Sequence, residues 1–171
     1  LITIHSGASE FLYPESLRHN AHLFENTAFC LISTEIPTEA AVEACRLTHK
    51  FGGQTIIKPS SCNHLSDELL SGIDILIPNQ NEIEELCPQE TDLASKAEFF
   101  LKKGVKIVII TLGAEGCFVK TPSFEKKYDA LTVTALDNTG AGDAFICAFA
   151  SYMLYGFSLD ASVQIATYAA G

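Results

Sequence analysis

The chain alternates short, almost wholly apolar runs with longer stretches in which apolar positions recur every three or four residues. The short runs read as strands and the periodic stretches as helices. Strands are predicted at Leu1 to His5, Ala28 to Ser33, Thr55 to Lys58, Ile73 to Ile77 and Val105 to Thr111. Helices are predicted over Thr38 to Lys50, Leu65 to Leu70, Glu82 to Leu86 and Leu93 to Lys103. Thr38 is the expected N-cap of the first, and Gly52-Gly53 and Gly104 are stops. The unbroken run Ile107-Val108-Ile109-Ile110 predicts a central strand buried on both faces, as in a parallel sheet. Cys117 to Lys120, Lys126 to Tyr128 and Thr132 to Ala135 read as shorter antiparallel strands, and two helices, from about Asp143 and Asp160, finish the chain. The pattern is that of an α/β layered architecture with right-handed crossovers. No internal repeat or low-complexity tract interrupts it, and Pro88 to Asp92 reads as a surface loop.

Composition narrows the picture. With 171 residues, 47% hydrophobic and 19% charged, the chain can build one substantial core. A net charge of −10 argues against a broad footprint on nucleic acid or anionic membrane, although backbone dipoles can still supply a local anion site. Six scattered cysteines without a Cys-x-x-Cys pair fit a reduced, cytoplasmic protein. No secretory signal and no apolar run of membrane-spanning length are visible. The chain opens inside a predicted strand and stops inside a predicted helix, so part of a longer protein is expected.

The chemistry concentrates in three places, each just after a predicted strand or at a helix start, where open α/β sheets bind ligands. The first is Asp137-Asn138-Thr139-Gly140-Ala141-Gly142-Asp143, followed by a stretch, residues 144 to 156, with no charge. A loop nearly free of side chains aims N–H groups and a helix dipole at one spot, suiting a transferring phosphoryl group. Asp143 beside it could take a proton from an attacking hydroxyl, which suggests phosphoryl transfer to an alcohol. The plainer alternative is an ordinary turn with Asp143 as N-cap; the uncharged stretch after it, read as a buried helix, favours a site.

The second is Asn79-Gln80-Asn81-Glu82. Its spacing reads first as a capping box and, compatibly with that, as a pair organising a metal-bound phosphate, with Glu82 acting on Mg²⁺ through water. The third, Thr111-Leu112-Gly113-Ala114-Glu115-Gly116, lets backbone approach a nucleotide and also reads as a hairpin connection. Neither the Rossmann nor the Walker fingerprint is present. Glu35 could accept hydrogen bonds from substrate hydroxyls or be a solvated loop acid. His19 and His22 lack a third metal ligand and read as surface residues. Lys58, at a strand end, could form a salt bridge or meet an anion.

Taken together, Asp137 to Asp143, Ile77 to Glu82 with its Asn-x-x-Glu, and Val108 to Gly116 resemble, in order and spacing, the ribokinase-like sugar and nucleoside kinases, or PfkB family. The likeness runs from about residue 2 to the end. It implies a three-layer α/β/α sandwich with a mostly parallel sheet, of which residues 1–171 are the carboxy-proximal part of one kinase domain. It also implies ATP- and Mg²⁺-dependent phosphorylation of a sugar or nucleoside. By motif position Asp143 is the catalytic base and meets the substrate, and Gly140, Ala141 and Gly142 form the anion hole. Asn79 and Glu82 organise phosphate and Mg²⁺, and Thr111, Gly113 and Gly116 contact nucleotide. Asp137 and Thr139 match positions that hold a monovalent cation, K⁺, in many members, and Glu35 matches an acidic sugar contact. Asn138 stands where Thr is usual, and Lys58 where ribokinase has Asn. The family's amino-terminal sugar motif and its lid, often a homodimer contact, lie outside this chain, as does its last carboxy-terminal segment, so the chain alone is not expected to turn over. Two alternatives are a catalytically idle sugar- or nucleotide-binding sensor and an acidic interaction domain whose motifs are caps and turns.

Overall fold

The structure, a computed structural model, describes residues 7–60, 64–134 and 137–171. Among the described residues six strands form one sheet in chain order: β1 (Phe29–Ser33), β2 (Gln54–Lys58), β3 (Ile75–Leu76), β4 (Ile107–Thr111), β5 (Cys117–Thr121) and β6 (Phe124–Tyr128). The first four pair in parallel; β4–β5 and β5–β6 are antiparallel. The helices are α1 (Pro14–His19), α2 (Thr38–Lys50), α3 (Asp67–Ser71), α4 (Gln80–Leu86), α5 (Leu93–Lys102), α6 (Ala141–Leu154) and α7 (Leu159–Ala169).

Strand side chains alternate between two faces, and the core divides accordingly. Ile57, Leu76, Val108 and Ile110 meet Ala44 of α2, Leu69 of α3, Ile83 of α4 and Phe100 of α5 on one face. Ile56, Ile75 and Ile109 meet Phe145 and Phe149 of α6 and Val163 of α7 on the other. Because strand order advances steadily while α2 to α5 share one face, the crossovers keep one hand. The result is three layers, with Ile107–Ile110 on an interior strand whose Val108, Ile109 and Ile110 are fully buried.

Several expectations are corrected. Thr38 is not a cap: Pro37 precedes the first helical residue and no side chain caps it. Thr132 to Thr134 join no strand; Val133 is exposed, and apolar–polar alternation without a partner edge does not make a strand. Ala135 and the strand predicted at Leu1 to His5 lie outside the described residues. The expected buried helix is buried on one face only: Phe145, Ile146 and Phe149 are inside, while Leu154 is 62% exposed. Among the described residues no helix is long and apolar enough to cross a membrane.

Candidate active site

The carboxyl ends of the parallel strands carry the site. Adjacent register pairs Leu31–Ile56 and Ser33–Lys58 lie side by side on the sheet face that α6 covers. With Ile32 they floor a cleft of about 220 Å³ whose wall is Asp143, Ile146 and Cys147. Cys147 follows Asp143 by four residues and so shares its helix face.

The loop before α6 is built by local rules. Asp137 Oδ1 accepts from Thr139 N–H at 2.9 Å, which holds the Asp137 carboxyl below its usual range. Gly140, at φ +83°, is the N-cap, a left-handed conformation that favours glycine. Ala141 N–H reaches Asn138 O at 3.2 Å, and Ala144 N–H makes the first helical bond, to Gly140 O at 2.9 Å. The amides of Gly142 and Asp143 fall between them, in the unpartnered first turn. Asp143 is therefore the third helical residue, not the cap, and no side chain caps this helix. Its carboxylate is exposed and lines the cleft beside those amides. The capping alternative for Asp143 fails on this geometry.

On the other side of the cleft the loop after β3 is pinned twice. Pro78 O accepts Thr111 N–H at 2.9 Å, and Asn79 bridges Thr111 across the strand ends. Asn79 and Glu82 form the capping box in both directions: Asn79 Oδ1 accepts Glu82 N–H at 2.8 Å, and Glu82 Oε2 accepts Asn79 N–H at 2.7 Å. The box does not exhaust Glu82. Both of its oxygens also accept from Lys58 Nζ, across 24 positions of sequence. A Cβ placed on Gly142 would lie 3.9 Å from Lys58 Cε, so this lysine links Glu82 to the first turn of α6.

Thr111, Asn79, Glu82, Lys58, Gly142 and Asp143 thus form a continuous chain of neighbours along one sheet edge. Gly113 (φ +58°) has open space where a side chain would stand, whereas Gly116 (φ +90°) is fixed by its surroundings: a Cβ would come within 1.8 Å of Tyr128 O. The hairpin reading of 111–116 holds, since β4 and β5 pair directly across it. Glu35 sits two residues past Ser33 in an exposed turn, on the same edge but not in the cleft lining. His19 binds Glu15 O at 2.9 Å, and among the described residues no three His, Cys, Asp or Glu side chains gather as a metal cage. A second concavity, about 440 Å³, lies beside Leu112 and Glu115; its lysine, Lys96, is buried and held by Glu84 and Cys87 O at 3.2 and 3.3 Å. Sequence reasoning missed Ser33 and Cys147, which strand end and helical spacing would have found.

Comparison with known proteins places the whole chain. The pattern of the pfkB family carbohydrate kinases matches residues 1–171. The ribokinase of Staphylococcus aureus (strain COL) is 34% identical over 154 residues, covering 88% of this chain and 51% of that protein. The solved ribokinase of Thermotoga maritima superposes with a TM-score of 0.89 at 30% identity, covering 98% of this chain and 56% of that one. The Arabidopsis thaliana ribokinase complexed with ribose and ATP gives 0.89 at 28% identity, over 98% of this chain and 56% of that one. The chain spans about half the length of these relatives.

Proposed function

The chain belongs to the pfkB family of carbohydrate kinases, and from that premise we propose that the protein containing it transfers a phosphoryl group from ATP to a hydroxyl of a sugar or nucleoside. The observation that carries this reading is the first turn of α6, where the Asp143 carboxylate stands in a cleft beside amides that no helical bond uses. Asp143 orients the acceptor hydroxyl and takes its proton as the transfer proceeds. The Gly142 and Asp143 amides, set by the turn at Gly140 and Ala141, face the phosphoryl oxygens.

The residues fit a nucleotide-borne magnesium ion rather than a protein cage, since Glu82 is a lone carboxylate and no acidic cluster joins it among the described residues. Mg²⁺ held in this way would offset the charge on the phosphates. Glu82 would orient its water shell, and Asn79 the phosphates. Thr111, Gly113 and Gly116 form the nucleotide side, Glu35 reaches the acceptor's hydroxyls, and Asp137 with Thr139 hold a monovalent cation, K⁺. The ATP bound in the Arabidopsis ribokinase supports the donor, and its ribose makes pentoses the acceptors to try first. The free thiols of the described cysteines support a cytoplasmic setting.

The test is ADP release by the full-length protein across a panel of pentoses, hexoses and nucleosides, with and without K⁺. Acceptor-dependent ADP formation is expected. A protein that binds ATP yet releases no ADP with any acceptor would instead be the idle sensor.

A further inference from the structure

Lys58 is the lysine of the cleft, and it is already committed. Its Nζ donates to both oxygens of Glu82 and to Pro59 O at 3.2 Å. Both partners are largely buried, their side chains 21% and 16% exposed, so water screens the pair only in part. Glu82 Oε2 also accepts Asn79 N–H, which leaves Oε1 engaged by Lys58 alone. A divalent cation approaching Glu82 therefore meets an ammonium group on the same carboxylate. Two like charges within a few ångströms repel strongly in such a setting, and Glu82 cannot serve both fully.

We propose that Lys58 is an internal counter-ion, holding Glu82 in position before metal arrives and exchanged for the divalent cation when it binds. The idea rests on the kinase reading of this site. Lys58 is a positioning residue in this scheme, acting through Glu82. The lysine stem lies beside Gly142, so in this scheme the released ammonium group turns along the cleft toward the first turn of α6. Its charge would then lie where the phosphoryl group is to be received.

The test compares wild type, Lys58→Met and Lys58→Arg in the full-length protein, melted with and without Mg²⁺ and a non-hydrolysable ATP analogue. Without ligand, Lys58→Met should melt below wild type, because Glu82 keeps its burial and loses its partner. With ligand that deficit should shrink by about half or more, since the metal replaces the missing cation, and the Mg²⁺ concentration needed for half-saturation should fall about fivefold. Lys58→Arg, able to grip the carboxylate with two N–H groups, should follow wild type. A deficit that stays constant or widens overturns the exchange and leaves Lys58 a purely structural residue. If Lys58→Met does not fold, the wild type still decides: acylation of Lys58, read by peptide mass, should be faster with the Mg²⁺-bound analogue than with the analogue in NaCl of equal ionic strength, and an unchanged rate overturns the proposal. Should wild type gain no stability from the Mg²⁺-bound analogue, the nucleotide reading itself fails and this inference with it, a result distinct from a constant Lys58→Met deficit in a protein that does bind.

Discussion

The two ends of β2 and β3 carry polar clusters of opposite character. At the amino ends, Asp74 is buried, and its carboxylate accepts from Thr55 N–H at 2.8 Å, His49 Nε2 at 2.8 Å and Lys106 Nζ at 2.6 Å. Thr55 Oγ1 in turn donates to Gly72 O and accepts from Asp74 N–H. Its donors and acceptors are matched among themselves, as a structural network requires. At the carboxyl ends, Asp143 is exposed, the α6 amides are open, and Glu82 is held by a lysine that a metal could displace. The same strands thus end in a saturated cluster on one side and an unsaturated one on the other. Unspent hydrogen-bonding capacity, rather than polarity, distinguishes the end at which the ligand is proposed.

Substitution at each end should separate these roles. The largest effect is expected for Asp143→Asn, which should lower phosphoryl transfer by about 10²–10⁴-fold, because the amide cannot take the hydroxyl proton. The melting curve should barely move, since the side chain is exposed and caps nothing. Near-full activity with a true acceptor would remove Asp143 as base.

Asp74→Ala should do the reverse. Losing the buried carboxylate strands the Thr55 N–H and removes the partner of His49 and Lys106, and should cost about 3 kcal/mol of stability, read by denaturant unfolding. Transfer per folded molecule should be kept. The effect should also depend on pH. Burial pushes the Asp74 carboxyl up, but the hydrogen bonds from Lys106, Thr55 and His49 outweigh it and hold it below its ordinary value. The unfolded chain therefore binds this proton more readily. The stabilisation is complete above the unfolded value of about 3.9 and is lost as pH falls through the folded one. The gap between wild type and Asp74→Ala should narrow below about pH 4. A gap independent of pH there would show that Asp74 is not the group responsible.

The sheet was legible because each buried strand is a local apolar run. Ile107 to Ile110 could hardly be placed elsewhere than inside. β3 is shorter than its run, Ile73 to Ile77, since Asp74 turns its carbonyl to the amides of Lys106 and Ile107 and its side chain to Thr55. That network joins residues far apart in sequence, and no local rule announces it. The Asn79–Glu82 box was legible for the opposite reason, both partners lying within one helical turn. Lys58 was left undecided between salt bridge and anion contact, and only the pairing of β2 beside β3 brings it to Glu82. The motif 137–143 disclosed the glycine turn and the polar loop before α6 but placed the helix start at Asp143. A glycine N-cap three residues earlier leaves fewer signs than an aspartate would.

The glycines sharpen the comparison on a smaller scale. Gly116 is required by the fold: at φ +90°, with Tyr128 O 1.8 Å from a Cβ, Gly116→Ala should cost about 3 kcal/mol, measured by thermal melting. A stability loss under about 1 kcal/mol would mean that the turn relaxes and the contact is not binding on the backbone.

Of the two glycines, Gly142 should give the smaller stability change and the one of opposite sign. It lies in the first turn of α6 without a positive φ, and a Cβ there would meet only Lys58 Cε, at an ordinary van der Waals distance of 3.9 Å. The fold has no need of glycine at this point, and alanine, by restricting the unfolded chain, should raise stability by about 0.5 kcal/mol. The ligand is the remaining reason for the missing side chain. A methyl group beside the Gly142 amide would stand where a phosphoryl oxygen must approach, and displacement of the reacting group by even a fraction of an ångström is costly. Gly142→Ala should therefore melt slightly above wild type and transfer phosphoryl groups about tenfold more slowly, with weaker ATP binding. Gly142→Ala that is both more stable and fully active would show that the phosphoryl group does not come to this turn. The open amides of α6 would then be a helix end like any other, and the contrast between the two edges of the sheet would have to rest on Glu82 and Lys58 alone.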